Sequence, residues 1–206
     1  MASIIFDMDG TIADSFDYVS EFLSSGSGKP PLTSDQKQAL RGMSMAGMAK
    51  RLGYHWWDAP RLFYKGRHRM KQAIKHIDAF AGMTELVQKL HAEGHELFVL
   101  STNSPTNINN FLKNQKINDY FLEVYGGVGV FSKASALKQL LKEQNLDIKQ
   151  AVYVGDEVRD VEAAQSIGLR AIAVTWGFAR RDSLVKLGPA ALADTPAQLT
   201  SILEEL

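Results

Sequence analysis

The chain contains no cysteine among its 206 residues, so disulfide bonds and metal sites built on thiolates are excluded. A protein without disulfides suits a reducing compartment, and we expect this one in the cytoplasm. The chain also lacks a charge excess, because 23 basic residues balance 23 acidic ones. Proteins that bind nucleic acids usually carry a basic surplus, so we expect no nucleic-acid partner.

Long apolar stretches are absent as well. No run approaches the roughly 18 residues of a membrane-spanning helix, so we expect no membrane partner. The first residues lead straight into an apolar strand pattern, and we therefore expect no secretory leader. The length suits one core domain with an insertion, and the sequence leaves monomer and homodimer equally open.

Short apolar runs recur along the chain and end in small or polar residues. They are Ile4–Phe6, Leu97–Leu100, Val124–Val128, Ala151–Val154 and Ala171–Val174. Unbroken hydrophobicity favours strands that are buried on both faces, and amphipathic helical patterns lie between these runs. The alternation predicts an α/β fold, a Rossmann-like doubly wound parallel sheet with helices on both faces.

The stretch from about residue 15 to residue 80 breaks this alternation, because it contains no run typical of a buried strand. Its patterns predict four helices, at residues 16–23, 33–40, 45–52 and 60–77. Thr33 and Gln36 form a capping box at the start of the second helix. The segment 24–31 is rich in Ser, Gly and Pro, which predicts a loop.

The interruption divides the predicted chain into two domains. Residues 1–14 and 81–206 form the α/β core, and residues 15–80 form an inserted helical cap. Both ends of the cap meet the core near the end of the first strand, so the cap can act as a lid. Within it, we expect the aromatic run 54–57 to form the core of the cap, with the alternative that one ring lines the pocket. We expect the basic residues of 65–75 to form a solvated face, with attraction of the substrate as the alternative.

Two carboxylates follow the first predicted strand, at Asp7 and Asp9. Side chains two residues apart on an extended chain point to the same side, so these carboxylates share a small space. Each raises the pKa of the other unless a cation lies between them. The pair therefore indicates a divalent metal site.

Further polar residues follow the other strands. Ser101 follows the second run, and Asp156 and Asp160 follow the fourth, while Lys133 begins a helix. In open α/β sheets, ligands bind at the carboxyl ends of the strands, so these residues should converge. Hard oxygen ligands favour Mg²⁺, and hydroxyl and ammonium groups suit phosphate oxygens. The set is typical of phosphoryl transfer.

Together these residues resemble the motifs of the haloacid dehalogenase-like superfamily, and within it the small phosphatases of the phosphoglycolate phosphatase type with a helical cap. The motifs are DMDGT at 7–11, Ser101 at the end of LFVLS, Lys133, and GDEVRD at 155–160. Their order and spacing agree with the family over nearly the whole chain. The dehalogenase branch lacks an acid at the position of Asp9, so that residue favours phosphate chemistry.

The resemblance implies a role for each carboxylate. Asp7 is expected to be the nucleophile, which forms an aspartyl-phosphate. Asp9 is expected to protonate the leaving oxygen and then to activate water. Mg²⁺ is expected to bind Asp7, Asp156, the backbone carbonyl of Asp9 and, directly or through water, Asp160.

The resemblance also implies the phosphate and substrate contacts. They are Ser101, Thr102, Asn103, Lys133, Gly10 and, in the cap, Arg41. Either hydroxyl of the second motif can bind phosphate, and we favour Ser101 because it directly follows the apolar run. Gly10 is expected to shape the turn behind the nucleophile.

The function predicted from these residues is Mg²⁺-dependent hydrolysis of a small phosphorylated metabolite such as phosphoglycolate. One alternative is a phosphosugar mutase of the same fold, which returns the phosphoryl group to a sugar. Another is a metal- and phosphate-binding module with little turnover. The intact carboxylates count against the module, and the sequence does not identify the substrate.

Overall fold

The computed structural model describes residues 2–26, 30–43, 45–129 and 132–205, and its centre is a six-stranded parallel sheet. The strands are β1 (Ser3–Phe6), β2 (Glu96–Leu100), β3 (Glu123–Tyr125), β4 (Ala151–Gly155), β5 (Arg170–Val174) and β6 (Ala191–Ala193). They lie in the order β3-β2-β1-β4-β5-β6. β1 pairs with β2 and β4, so the first strand is central and both of its faces are buried.

Helices connect the strands and cover the sheet. In the predicted cap they are α1 (Phe16–Gly26), α2 (Ser34–Leu40), α3 (Met45–Arg51) and α4 (Ala59–Ala73). In the core they are α5 (Met83–Ala92), α6 (Pro105–Asn114), α7 (Lys133–Glu143), α8 (Val158–Gln165), α9 (Arg181–Val185) and α10 (Pro196–Glu204). Short 3₁₀ turns lie at Trp56–Asp58, Ile74–His76 and Asn118–Tyr120. The predicted α/β class is confirmed.

Local signals account for several of these boundaries. The Thr33 hydroxyl accepts from the backbone N–H of Gln36, whose side chain accepts from Thr33 in return, and this is the predicted capping box. The Ser104 hydroxyl caps α6 by accepting from the backbone N–H of Asn107, and Pro105 is the first helical residue. Among the described residues, no helix is both long and apolar enough to cross a membrane.

Several details of the predicted elements are wrong. β3 ends at Tyr125 rather than Val128, because Gly126 approaches the backbone of Pro105 so closely that a Cβ would collide there, and the chain leaves the sheet. β6 was missed, because a three-residue edge strand is too short for an apolar run. The predicted loop 24–31 begins too early, since α1 continues through Gly26, and residues 27–29 lie outside the described part.

The chain passes between core and predicted cap through two adjacent linkers. Ala13 and Ala79 form an antiparallel bridge, with Asp14 N–H donating to the carbonyl of Asp78 at 2.9 Å. Phe80 N–H donates to the carbonyl of Ile12 at 2.9 Å. Backbone hydrogen bonds therefore join the two linkers to each other next to the turn that follows β1.

The cap differs from the prediction in its aromatic residues. Trp56 is 83% exposed and Trp57 is 59% exposed, so neither is buried as expected. They lie in a short 3₁₀ turn in which no residue is buried, and the Trp57 ring stacks on the His55 ring with 4.4 Å between ring centres. The solvated basic face is confirmed at Lys65, Lys71 and other described residues, while the side chain of Arg67 lies outside the described part.

Candidate active site

Three neighbouring strands bring polar residues to one edge of the sheet. Asp7 directly follows β1, Ser101 follows β2, and Asp156 follows β4. Because these strands are adjacent and parallel, their carboxyl ends meet, as the sequence predicts. All three side chains are almost completely buried, so any charge among them needs a partner.

Lys133 supplies one such partner. It is the first residue of α7 and only 2% exposed. Its Nζ lies 2.6 Å from Oδ2 of Asp7 and also donates to Oδ1 of Asp160. A buried ammonium is stable only when it is paired and hydrogen-bonded, and these two carboxylates meet that need. Lys133 is therefore part of the site rather than a surface lysine.

Asp7, Asp156 and Asp160 form the one acidic cluster with metal-ligand spacing among the described residues. One oxygen of each lies within 4.8 Å of the others, and all three residues are buried. Small sets of hard carboxylate oxygens are typical ligands of Mg²⁺. The carboxylate of Asp9 lies outside this cluster, and metal ligation through its backbone carbonyl stays a prediction.

The Asp156 carboxylate is held on both oxygens. The Thr11 hydroxyl donates to Oδ1 at 2.9 Å, and the backbone N–H of Phe178 donates to Oδ2 at 2.7 Å. Gly10 and Gly177 lie against the same carboxylate, and a Cβ at either position would overlap it. Gly10 also has a φ of 82°, which an L side chain rarely adopts. The turn is thus built around Asp156.

Asp9 is oriented by the second motif. The Asn103 amide donates to Oδ2 of Asp9 at 3.0 Å, and the Asn107 amide donates to Oδ1 of Asn103 at 2.9 Å. Oδ1 of Asp9 is buried without a hydrogen-bond partner among the described residues. The Ser15 hydroxyl is buried close to this carboxylate, also without a hydrogen-bond partner among the described residues. Asn103, predicted as a phosphate contact, therefore positions the carboxyl group expected to act as acid and base.

Burial shifts the pKa values of these acids upward. Desolvation raises the pKa of Asp7 to about 7, although the Lys133 ammonium opposes the shift. Desolvation and the neighbouring Asp160 raise the pKa of Asp156 well above its usual value. Desolvation also raises the pKa of Asp9, against the Ser15 hydroxyl and the Asn103 amide. Buried, mutually repelling carboxylates of this kind fit a divalent cation.

A second ion pair borders the cluster and was not predicted. The guanidinium of Arg159 donates to Oε1 of Glu157, and Glu157 is 4% exposed. Desolvation lowers the pKa of Arg159, but Glu157 and Asp160 outweigh it, so the net shift is upward. Five buried or half-buried carboxylates thus share two cations among the described residues, an imbalance that favours an added metal. Both residues belong to GDEVRD, so the motif itself was the available signal.

The two hydroxyls of the second motif are both buried. Ser101 is fully buried, and its Oγ accepts from the backbone N–H of Asn103 at 3.2 Å. Thr102 is 9% exposed. The assignment of Ser101 rather than Thr102 to phosphate stays a prediction.

Arg41 follows α2 in the predicted cap. Its guanidinium lies 4.3 Å from the centre of the Phe16 ring, at the first residue of α1. Burial raises the pKa of Asp14, and the positive charge of Arg41 acts against that shift. The side chain therefore lies beside the first linker, and its contact with substrate stays a prediction.

Comparison with known proteins identifies relatives over the whole chain. The sequence model of the haloacid dehalogenase-like hydrolase family matches residues 4–174. A phosphoglycolate phosphatase of Synechococcus elongatus is 35% identical over 100% of this chain and 99% of its own. An N-acetylmuramic acid 6-phosphate phosphatase of Pseudomonas putida is 25% identical over 99% and 96%.

The fold has solved counterparts. A haloacid dehalogenase-like family hydrolase from Streptococcus pneumoniae superposes with a TM-score of 0.79 at 22% identity, covering 98% of each chain. At that identity the likeness concerns the fold alone.

Proposed function

The chain belongs to the haloacid dehalogenase-like hydrolases, and on that premise we propose that it is a Mg²⁺-dependent phosphatase of small metabolites, with phosphoglycolate as the first candidate substrate. The enzyme class is that of a phosphoric monoester hydrolase. One observation carries the proposal: Asp7, Asp156 and Asp160 form a buried cluster at the edge of the sheet, the Lys133 ammonium pairs with Asp7 and Asp160, and an oriented Asp9 lies close by.

The metal is the first part of the proposal. Asp7, Asp156 and Asp160 would hold it, together with the backbone carbonyl of Asp9. When bound, Mg²⁺ supplies positive charge that neutralises phosphate and carboxylate oxygens. Asp156 is suited to this task because Thr11 and the Phe178 N–H already fix its oxygens in place.

Asp7 is proposed to attack the substrate. A carboxylate oxygen of Asp7 forms a bond to phosphorus, and the ester P–O bond to the leaving alcohol breaks. The nucleophile must be ionised, and Lys133 at 2.6 Å favours the ionised form against the effect of burial. Lys133 also remains placed to neutralise charge that develops on the phosphoryl oxygens.

Asp9 is proposed to move the protons. Its raised pKa favours a protonated carboxyl group, which donates its proton to the leaving oxygen. In the second half of the reaction, the Asp9 carboxylate takes a proton from water while the water oxygen bonds to phosphorus. The bond between phosphorus and Asp7 then breaks, and inorganic phosphate leaves. Asn103 keeps the carboxyl group oriented in both steps.

The remaining substrate contacts are proposed for the second motif and the cap. The Ser101 hydroxyl can accept from Asn103 and donate to a phosphate oxygen at the same time. Residues 15–80 are proposed as the cap domain, with hinges near Asp14 and Gly82. The cap, and Arg41 in particular, would contact the part of the substrate that distinguishes one phosphate ester from another.

A substrate panel tests the function directly. Release of inorganic phosphate is measured from phosphoglycolate, sugar phosphates, a nucleoside monophosphate and an aryl phosphate, each with Mg²⁺ and after exhaustive chelation. We expect phosphoglycolate to give the highest kcat/KM, and we expect activity to vanish on chelation and to return with Mg²⁺. Full activity without divalent metal would contradict the metal assignment.

The same panel separates the alternative. A mutase would convert one sugar phosphate into its isomer and would depend on a sugar bisphosphate activator, whereas a phosphatase accumulates inorganic phosphate without one.

We propose a cytoplasmic location because the chain has no cysteine.

A further inference from the structure

The segment Trp176–Arg180, which follows β5, contacts the candidate metal ligand and the cap at once. Its Phe178 N–H donates to Oδ2 of Asp156 at 2.7 Å, and Gly177 packs against the same carboxylate. None of these residues belongs to the motifs that identify the family in this chain. We propose that this segment is a positioning element, which couples the position of the cap to the geometry and metal affinity of Asp156.

Three residues of the segment contact the proposed cap. The Phe178 ring is 1% exposed and packs on the ring of Phe16, the first residue of α1, with 5.6 Å between ring centres. Ala179 forms a parallel bridge with Gly42, beyond the end of α2. The aliphatic stem of Arg180 fills the space where Gly42 lacks a side chain. A movement of the cap would therefore push directly on the segment.

Trp176 connects the segment to both linkers of the cap. Its indole Nε1 donates to the carbonyl of Thr11 at 3.1 Å, in the turn that leads into the first linker. Its ring lies 6.2 Å from the ring of Phe80, in the second linker. Thr11 in turn donates its hydroxyl to Asp156. The cap linkers and the carboxylate thus share hydrogen-bonded neighbours.

These contacts have a physical consequence. The hydrogen bond at 2.7 Å lies at the short end of the usual N–H···O range, which ends near 3.2 Å, so a displacement of Phe178 by more than about half an ångström breaks it and releases one oxygen of Asp156. A cap that opens about its linkers moves Phe16 and Gly42, which touch the segment. By thermodynamic reciprocity, a cation on Asp156 then favours one position of the cap. This inference rests on the proposed metal site.

Two glycines of the cap give a matched test. Gly42 and Gly53 both have left-handed backbone, with φ of 84° and 91°. A Cβ at Gly42 would overlap the Arg180 stem, whereas a Cβ at Gly53 would meet nothing within 4 Å. Gly42→Ala and Gly53→Ala therefore carry similar backbone strain, and only the first perturbs the segment.

The Kd for Mg²⁺ is measured by calorimetry without substrate, for protein whose folding is checked by circular dichroism. We expect Gly42→Ala to weaken binding about fivefold or more, the usual scale of coupling between sites. Gly53→Ala should stay within about twofold of wild type, since typical coupling begins only above that range. Arg180→Ala removes the obstructing stem, so Gly42→Ala/Arg180→Ala should recover most of the affinity.

Trp176 gives a second readout. The chain has three tryptophans, so Trp56→Phe/Trp57→Phe leaves Trp176 as the only indole. Its emission should change with Mg²⁺ and saturate at the calorimetric Kd, and Asp156→Asn should abolish that change.

The outcomes separate the two proposals. If wild-type protein binds no Mg²⁺, the metal site and the coupling both fail. If wild-type protein binds Mg²⁺ but Gly42→Ala and Gly53→Ala have equal Kd values, the coupling alone is overturned. An emission of Trp176 that ignores saturating Mg²⁺ would also overturn it.

Discussion

The sheet edge and the predicted cap are built in opposite ways. At the sheet edge, Asp7, Lys133 and Asp160 are at most 3% exposed and are joined by hydrogen bonds of the Lys133 ammonium. In the predicted cap, α4 presents exposed basic side chains, and two tryptophans just before it are mostly exposed to solvent. The charged groups at the sheet edge are buried and held by hydrogen bonds, whereas many side chains of the predicted cap are exposed to solvent.

The difference in burial is consistent with separate roles in the proposed reaction, catalysis at the sheet edge and substrate selection in the cap. Every phosphate ester presents the same phosphoryl group, so the residues that bind this group and the metal are best held rigidly in a buried place. Substrate choice requires contacts to the rest of the molecule, which a lid can supply and change without disturbing the chemistry. Substitutions at the two regions should therefore have different kinetic consequences.

The largest effect is expected for Asp7→Asn at the sheet edge. Loss of the nucleophile should lower kcat by about 10⁴-fold or more, a typical scale for removing a covalent catalyst. Because the buried carboxylate carries a raised pKa, its neutral replacement should leave the Tm of the metal-free protein unchanged or higher. Phosphate release and thermal unfolding measure the two effects. Substantial turnover by a preparation free of other phosphatases would refute the nucleophile.

Lys133→Ala is expected to come next. Removal of one preorganised positive charge should lower kcat by about 10²- to 10³-fold. It should also lower the Tm, because Asp7 and Asp160 lose their buried partner. Lys138→Ala, on the exposed face of the same helix, is the control and should change neither quantity. A drop of only a few-fold for Lys133→Ala would assign it a purely structural role.

Loss of the Asp156 carboxylate and loss of the Asp160 carboxylate should weaken activation by Mg²⁺ to different extents. Asp156→Ala should raise the Mg²⁺ activation constant about tenfold or more, the lower scale for disturbing a metal site. Asp160→Ala should raise it less, because Asp160 also pairs with Lys133 and caps the backbone N–H of Glu157. Activity is titrated with Mg²⁺ for both variants. The reverse ranking would exchange their roles.

The smallest effect, and the most selective, is expected in the cap. Arg41→Ala should change the ratio of kcat/KM between phosphoglycolate and a second good substrate by about tenfold, equivalent to about 1.4 kcal/mol. Turnover of a small aryl phosphate should change little. Arg51→Ala, an exposed arginine at the end of α3, serves as the control. A parallel fall with all substrates would mean that the cap contributes to closure or chemistry rather than to selectivity.

The sequence by itself determined the α/β class, most strands and the placement of Asp7, Ser101 and Asp156. Apolar runs report strands buried on both faces, and parallel strands must end at one edge of the sheet. The residue that follows each run is therefore placed by local pattern alone. Weak local patterns were not enough for β6 and α9, which are only 3 and 5 residues long.

Only the tertiary structure decided which side chains touch. The hydrogen bond from Thr11 to Asp156 joins residues 145 positions apart, and the bond from Asn103 to Asp9 joins residues 94 apart. Such pairs depend on the strand order β2-β1-β4 and on the paths of the loops between strands, which periodicity does not encode. The contacts of Trp176 with both cap linkers have the same origin. Residue type and local spacing set the chemistry, and long-range packing set its geometry.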